Sequence, residues 1–100
     1  MLYMLYIYWN RRFKKITMDL VKRLKNCKKG TELYSPLYGT VYFIEIREDS
    51  ECPIFIEFFY KGNRALSSFT KEGKLDKFYL GECMLYPSKD QRDWNQVNFN

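Results

Sequence analysis

The side chains best suited to chemistry lie in one polar segment near the end of the chain, PSKDQRDW at residues 87–94. This segment places carboxylates and bases next to a tryptophan. One interpretation is a binding lip, in which Trp94 anchors a partner and Arg92 donates paired hydrogen bonds to it. The other is a structural latch, in which Trp94 closes the open end of the core while Asp93 or Arg92 binds backbone groups at strand ends. We favour the latch.

A second set of candidate residues is basic and falls on a segment with helical periodicity. These side chains could contact the phosphates of a nucleic acid, with Tyr or Phe side chains stacking on its bases. The alternative, which we favour, is an ordinary solvated helix face. The set consists of Lys22, Arg23, Lys25, Lys28 and Lys29.

Most catalytic arrangements are excluded by what the chain lacks. It contains no histidine, which removes the commonest general base, the commonest metal ligand and the usual partner of a Ser or Cys nucleophile. No phosphate-binding glycine loop or nucleophile elbow occurs in the sequence. The acidic run at residues 48–51, EDSE, lacks the spacing of a calcium loop and is better explained as a solvated turn. The sequence therefore predicts a protein that is not an enzyme and has no metal or cofactor.

The three cysteines, Cys27, Cys52 and Cys83, do not form a recognisable framework. Their number is odd, their spacing is wide, and no CxxC motif occurs, so neither a disulfide scaffold nor a zinc site is indicated. Reduced, buried thiols in a cytoplasmic protein are the expected state.

The net charge of +5 points to an anionic partner only if the first residues belong to the folded protein. The excess of bases lies in residues 1–30, whereas residues 31–100 carry more acids than bases. From Met18 onward, bases and acids nearly balance. The argument for nucleic-acid binding from net charge therefore depends on residues 1–17.

The opening stretch, MLYMLYIYW, is apolar and is followed by a cluster of bases. As a helix it would span about 13 Å, which is too short for a hydrocarbon core of about 30 Å. Bases after the apolar run, rather than before it, do not fit a signal peptide. Three interpretations remain: an extension upstream of a true start at Met18, which we favour, a native strand or packed helix, and a membrane-surface anchor.

A short helix is predicted from Thr17 to a stop at Gly30. Thr17 is placed to cap it, Asp19 to lie in its first turn, and Leu20 and Leu24 to form its apolar stripe. Gly30 suits the position after a helix end.

Alternating apolar and polar residues after Gly30 predict a series of short strands. The segment TVYFIEIR, residues 40–47, breaks the alternation, which predicts either burial on both faces or a bulge near Phe43 and Ile44. The run at 54–60, IFIEFFY, is too apolar for a half-solvated edge strand, apart from Glu57. Residues 61–63, KGN, predict a hairpin turn. The predicted strands cover residues 31–35, 40–47, 54–60, 64–69, 75–80 and 82–86.

The expected fold class is mainly β, with a minor helical part. Short connections favour a meander, rolled into a small, antiparallel, partly open SH3-like β-barrel of five to six short strands behind one short helix. The single domain is expected to cover residues 18–96, with residues 1–17 as an N-terminal extension and residues 97–100 as a frayed tail.

Two stretches of the chain, LKNCKKGTELYSPLYGTVYFIEI and GECMLYPSKDQRDWNQ, resemble a family of small proteins encoded by gut bacteria and their phages. The family pattern contains a KGT turn, an LYS strand, a strand that begins with glycine, an SFT turn and the closing PSK…RDW segment. The resemblance covers residues 18–96, with no counterpart for residues 1–17, and family members begin near the equivalent of Met18. It implies a mobile-element context, indicates no activity, and transfers no catalytic residues.

The function that the sequence favours is a non-enzymatic binding module, an accessory protein of a phage or mobile element that contacts another protein in the cytoplasm. Nucleic-acid binding through the basic helix face is the first alternative. Peripheral membrane binding through residues 1–17 is the second.

Overall fold

The computed structural model describes residues 19–76, 78 and 81–99 of the chain. This part of the protein is mainly β, as predicted, with one short helix in front of an antiparallel sheet and a single 3₁₀ turn behind it. The elements are α1 (Leu20–Leu24), β1 (Glu32–Ser35), β2 (Gly39–Ile46), β3 (Ile54–Tyr60), β4 (Asn63–Phe69) and the 3₁₀ helix Trp94–Gln96.

The sheet is a four-stranded meander in the order β1-β2-β3-β4, which confirms the predicted topology. The β3–β4 hairpin closes at Lys61 and Gly62, whose φ angles are 50° and 79°. Two consecutive positive φ angles define a type I′ turn, which matches the right-handed twist of the flanking strands. The predicted KGN turn is therefore confirmed, with Asn63 as the first residue of β4.

A bulge in β2 explains the broken alternation of its sequence. The pairing with β3 shifts between Phe43 and Glu45, so Ile44 is the extra residue. Before the bulge, Phe43 lies opposite Ile56, and after it Ile46 lies opposite Ile54. One added residue reverses which side faces the core, so Ile46 returns to the same side as Phe43. The predicted bulge is confirmed.

The hydrophobic core lies between the inner face of the sheet, helix α1 and the C-terminal segment. Its centre consists of side chains that are less than 7% exposed. Helix α1 contributes through its apolar stripe, and its first N–H donates to the carbonyl of Lys71 at 2.7 Å. The core residues are Leu20, Leu24, Leu33, Val41, Phe43, Ile54, Ile56, Phe69, Leu85 and Trp94.

Helix α1 is shorter than predicted and has a different cap. Its N-cap is Asp19, whose carboxylate accepts a hydrogen bond from the Val21 N–H at 3.0 Å; Thr17 lies outside the described residues. The helix ends at Leu24 rather than running to Gly30. Gly30 already donates to the Phe43 carbonyl at 2.7 Å, so pairing with β2 overrides the helical pattern at this end.

The last two predicted strands are wrong for the described residues. Residues 75, 76 and 78 carry no strand, and in the segment 82–86 only Tyr86 forms a bridge. Tyr86 and Tyr34 exchange backbone hydrogen bonds of 2.7 and 2.9 Å, whereas Met84 donates to the carbonyl of Gly73 in a loop. The segment thus packs its apolar side chains without a continuous ladder, and the described chain holds four strands rather than five to six.

The structure tests the prediction for the C-terminal end of the domain but not the prediction for its N-terminal end. The predictions for residues 1–17 and for the start at Met18 fall outside the described residues. At the other end, Val97 and Phe99 are half-buried, and the Phe99 ring lies 6.3 Å from the ring of Trp94. This part of the predicted tail packs against the core. Within the described ranges, no helix is long and apolar enough to cross a membrane.

Candidate functional site

Trp94 lies in the core rather than on a binding lip. Only 6% of it is exposed, and its indole N–H donates to the carbonyl of Leu85 at 3.0 Å. The preceding Asp93 accepts a hydrogen bond from the Asn95 N–H at 2.9 Å and so caps the 3₁₀ helix. These contacts favour the latch, although Asp93 holds its own turn and not the end of a strand.

Arg92 sits on the surface beside two tyrosines. Its guanidinium carbon lies 5.6 Å from the centre of the Tyr34 ring and 5.1 Å from the centre of the Tyr86 ring. These two tyrosines are joined through their backbones, so the arginine covers the junction of β1 with the C-terminal segment. A cation over an exposed aromatic ring contributes about 0.5–1 kcal/mol, which is a modest structural role.

The predicted basic set divides into one structural arginine and four exposed lysines. Arg23 is half-buried, and its guanidinium donates to the carbonyl of Trp94 at 3.1 Å and to the side-chain oxygen of Asn95. It therefore joins α1 to the 3₁₀ helix, about seventy residues away in sequence. The exposed members are Lys22, Lys25, Lys28 and Lys29.

The four lysines occupy α1 and the loop that follows it. The loop has a fixed backbone, because the carbonyl of Lys28 accepts from both the N–H and the hydroxyl of Thr31, at 3.1 and 2.7 Å. Their side chains could reach phosphates from this ordered segment, but the structure shows no aromatic ring stacked beside them within the described ranges.

Two of the three thiols have a raised pKa. Burial raises the pKa of Cys83, although a backbone hydrogen bond with Leu85 and the charge of Lys74 oppose the shift. Burial also raises the pKa of Cys27, opposed by a hydrogen bond with Thr31. A raised pKa keeps a thiol protonated and unreactive at neutral pH. All three cysteines are free and half-buried.

A groove of about 450 Å³ opens between the start of α1 and the loops after β2 and β4. Its lining includes two lysines, Lys71 and Lys74, but carboxylates predominate. No group of three or more Cys, Asp or Glu side chains within the described ranges is arranged to hold a metal ion. The carboxylates on its walls are Asp19, Glu48, Glu51, Glu72 and Asp76.

The sequence interpretation missed a surface on the outer face of the sheet. Residues 54–60 were predicted to be buried on both sides, but only Ile54 and Ile56 are buried, and Phe59 is 57% exposed. Leu66, on the adjacent strand, is 63% exposed. We call the set Tyr42, Phe55, Phe59 and Leu66 the outer aromatic surface.

The pairing of the strands brings these side chains together. Tyr42 lies opposite Glu57, which in turn lies opposite Leu66. The rings of Tyr42 and Phe59 meet edge to face, with centres 6.1 Å apart. The one charged residue of β3, Glu57, was the available signal, since Phe55 and Phe59 lie two residues on either side of it and share its face of the strand.

One ion pair lies within the outer aromatic surface and a second lies beside it. Arg64 pairs with Glu57, and Arg47 pairs with Glu45. The guanidinium of Arg47 also lies 4.6 Å from the centre of the Phe55 ring. The surface therefore combines exposed apolar side chains with charges of both signs, and the Glu57–Arg64 ion pair lies among the apolar side chains.

Comparison with known proteins adds no family assignment, because no family pattern, no curated protein and no solved structure gives a significant match.

Proposed function

We propose that this chain is a non-enzymatic binding module that contacts another protein through the outer aromatic surface. One observation carries the proposal: Phe59 and Leu66 lie on adjacent strands of one sheet face and are 57% and 63% exposed. Contiguous apolar side chains on the surface of a small protein mark contact sites more often than scattered ones do.

The geometry suits a protein partner in three ways. Full burial of a Phe or Leu side chain contributes about 1.5–3 kcal/mol, and about half of each of these side chains is still available. The edge-to-face contact with Tyr42 restricts the Phe59 ring, which reduces the side-chain freedom lost on binding. The carboxylates of Glu57 and Glu45, each paired with an arginine, favour a protein over a polyanion.

The setting of this function follows from the resemblance and remains part of the proposal. We place the protein in the cytoplasm, as an accessory protein of a phage or mobile element, with neither cofactor nor metal. The sheet is proposed to be the main part of a partly open SH3-like barrel. Two features support this: the bulge in β2, which increases strand twist, and the bridge from Tyr86 to β1, which extends the sheet at one end.

Quantitative affinity capture tests the proposal. The full chain, a Phe59→Ser variant and a Leu37→Ser control are immobilised in equal amounts, and bound host proteins are compared by mass spectrometry. Leu37 is a matched control because it is 53% exposed but lies in the turn between β1 and β2. We expect a protein that is recovered with the wild type and the control and is lost with Phe59→Ser. Equal recovery with all three chains would refute the proposal.

Nucleic-acid binding is the rival function, favoured by the four exposed lysines of α1 and its loop. It is tested by titrating salt into complexes with single- and double-stranded DNA. Phosphate contacts require affinity that falls steeply with log salt, so absence of binding at about 50 mM salt eliminates this function. A steep salt dependence that is lost in Lys25→Ser and retained in Phe59→Ser would replace the protein-binding proposal.

A further inference from the structure

The two edge strands of the sheet differ in whether their outer backbone groups are paired. At one edge, Tyr34 of β1 exchanges both backbone hydrogen bonds with Tyr86, which covers the middle of that strand. At the other edge lies β4, and no strand of the described residues pairs with its outer side. Strand β4 carries no proline, its register with β3 is unbroken, and Arg64 is its one charged residue. Such an edge lacks the usual features that prevent pairing with another chain.

The hairpin geometry shows which backbone groups point outward. A type I′ turn is closed by a hydrogen-bonded pair, here Tyr60 and Asn63. Hydrogen-bonded and non-hydrogen-bonded pairs then alternate along an antiparallel ladder. Arg64, Leu66 and Ser68 occupy the non-hydrogen-bonded positions. Their N–H and C=O groups therefore point away from β3, along the free edge.

We infer that β4 pairs antiparallel with β4 of a second copy of this chain, joining two sheets into one. The outward residues select the register. With Leu66 opposite Leu66 of the other copy, Arg64 lies opposite Ser68, and all three residues find partners, which gives roughly six backbone hydrogen bonds. A shift that places Arg64 opposite Arg64 would set like charges side by side, which is unfavourable.

The side chains fit the same register. Leu66 is 63% exposed in the single chain and would contact its own counterpart across the two-fold axis. Arg64 keeps its ion pair with Glu57 and faces the hydroxyl of Ser68. The outer aromatic surfaces of the two copies become continuous. The pairing does not depend on the proposed function, since it uses the edge of β4 rather than a partner.

Charge substitutions at position 68 test this register with the purified full chain. Ser68→Glu places a carboxylate opposite Arg64 of the other copy in both symmetric pairs, and Ser68→Arg places a like charge there. Sedimentation equilibrium of the wild type should show a monomer–dimer equilibrium. We expect Ser68→Glu to tighten dimerisation and Ser68→Arg to weaken it, each by roughly fivefold.

Two results would overturn the inference: a wild-type chain that stays monomeric at every concentration, or a dimer whose dissociation constant does not move in opposite directions with the two substitutions. Circular dichroism confirms folding of each variant. If Ser68→Arg does not fold, Ser68→Glu alone still decides, because unchanged or weakened dimerisation contradicts the register. Leu37→Lys, which places a charge on a leucine that is 53% exposed and lies away from the edge, should leave the equilibrium unchanged. Loss of partner capture in Phe59→Ser with dimerisation intact separates this inference from the proposed function.

Discussion

Replacing Trp94 with alanine should remove a large part of the stability of this small domain. The side chain is 94% buried and joins α1, the sheet and the C-terminal segment in one core. Truncation of a buried Trp to Ala costs about 3–5 kcal/mol. The lost hydrogen bond from the indole N–H to Leu85 adds about 1 kcal/mol. We therefore expect a loss of about 4 kcal/mol or more, out of the roughly 5–15 kcal/mol typical of a folded domain.

Urea denaturation followed by circular dichroism measures this loss. Since 1 kcal/mol shifts the melting temperature of a domain this size by about 4–8 °C, the Trp94→Ala melting temperature should fall by roughly 15–30 °C. Trp94→Phe keeps most of the ring but not the donor, and should lose less than half as much. Arg92→Ala is the control within the same segment, with an expected loss of at most about 1 kcal/mol. The latch is refuted if the free energy of unfolding of Trp94→Ala lies within 1 kcal/mol of the wild type, which is about fivefold in the folding equilibrium. The binding lip would then be the better interpretation.

Three further predictions follow from individual contacts. Gly73→Ala should lower the free energy of unfolding by about 2–4 kcal/mol, because its φ is +80° and the new Cβ would lie 2.5 Å from the sulfur of Cys83. Gly62 has nearly the same φ but open space around it, so Gly62→Ala should lose less. Equal losses in chemical denaturation would show that crowding at Gly73 is irrelevant. Arg23→Met should lose about 1–3 kcal/mol through its bonds to the 3₁₀ helix, whereas Lys22→Met should be nearly neutral, and matching values would contradict the structural role of Arg23. Burial raises the pKa of Cys83, so its alkylation rate, followed by peptide mapping, should keep rising above about pH 8.5, where the rate of a free thiol levels off. The contribution of the protonated thiol to the stability of the fold should be complete below that pH and be lost above it. A plateau of the rate at the ordinary pKa would disprove the shift.

The hairpins of the sheet could be predicted from the sequence because their signals are local. Residues 54–60 match β3 at both ends, and the turn at Lys61 and Gly62 follows from turn chemistry. The bulge in β2 was visible as a change of side in the apolar pattern at Ile44. In each case, a short-range rule and the tertiary structure agree.

The missed elements depend on contacts between distant residues. The helical pattern after Leu24 was overridden because Gly30 bonds to the backbone of β2. The apolar run at 82–86 was predicted to be a strand, but only Tyr86 finds a partner for its backbone. Apolar side chains mark this segment as buried, as Leu85 is, but they do not supply a neighbouring strand for its N–H and C=O groups.

The candidate site was the least predictable part. The run IFIEFFY indicated burial on both faces of the strand. The sheet, however, packs against a core on one face only, so the face that carries Phe59 is open to solvent. How many layers cover a sheet is not encoded in one strand. Arg23 was assigned to a basic surface because nothing in its neighbourhood signals the distant 3₁₀ helix that it contacts.

The central claim, that the outer aromatic surface binds a protein, is tested most directly by titration calorimetry. The protein recovered by affinity capture is purified and titrated into the full-length wild type, Phe59→Ser and Lys25→Ser. Removing an anchor aromatic from an interface costs about 2 kcal/mol or more, so Kd should rise by at least tenfold in Phe59→Ser and stay unchanged in Lys25→Ser. An unchanged Kd in Phe59→Ser, or a rise confined to Lys25→Ser, would contradict the account.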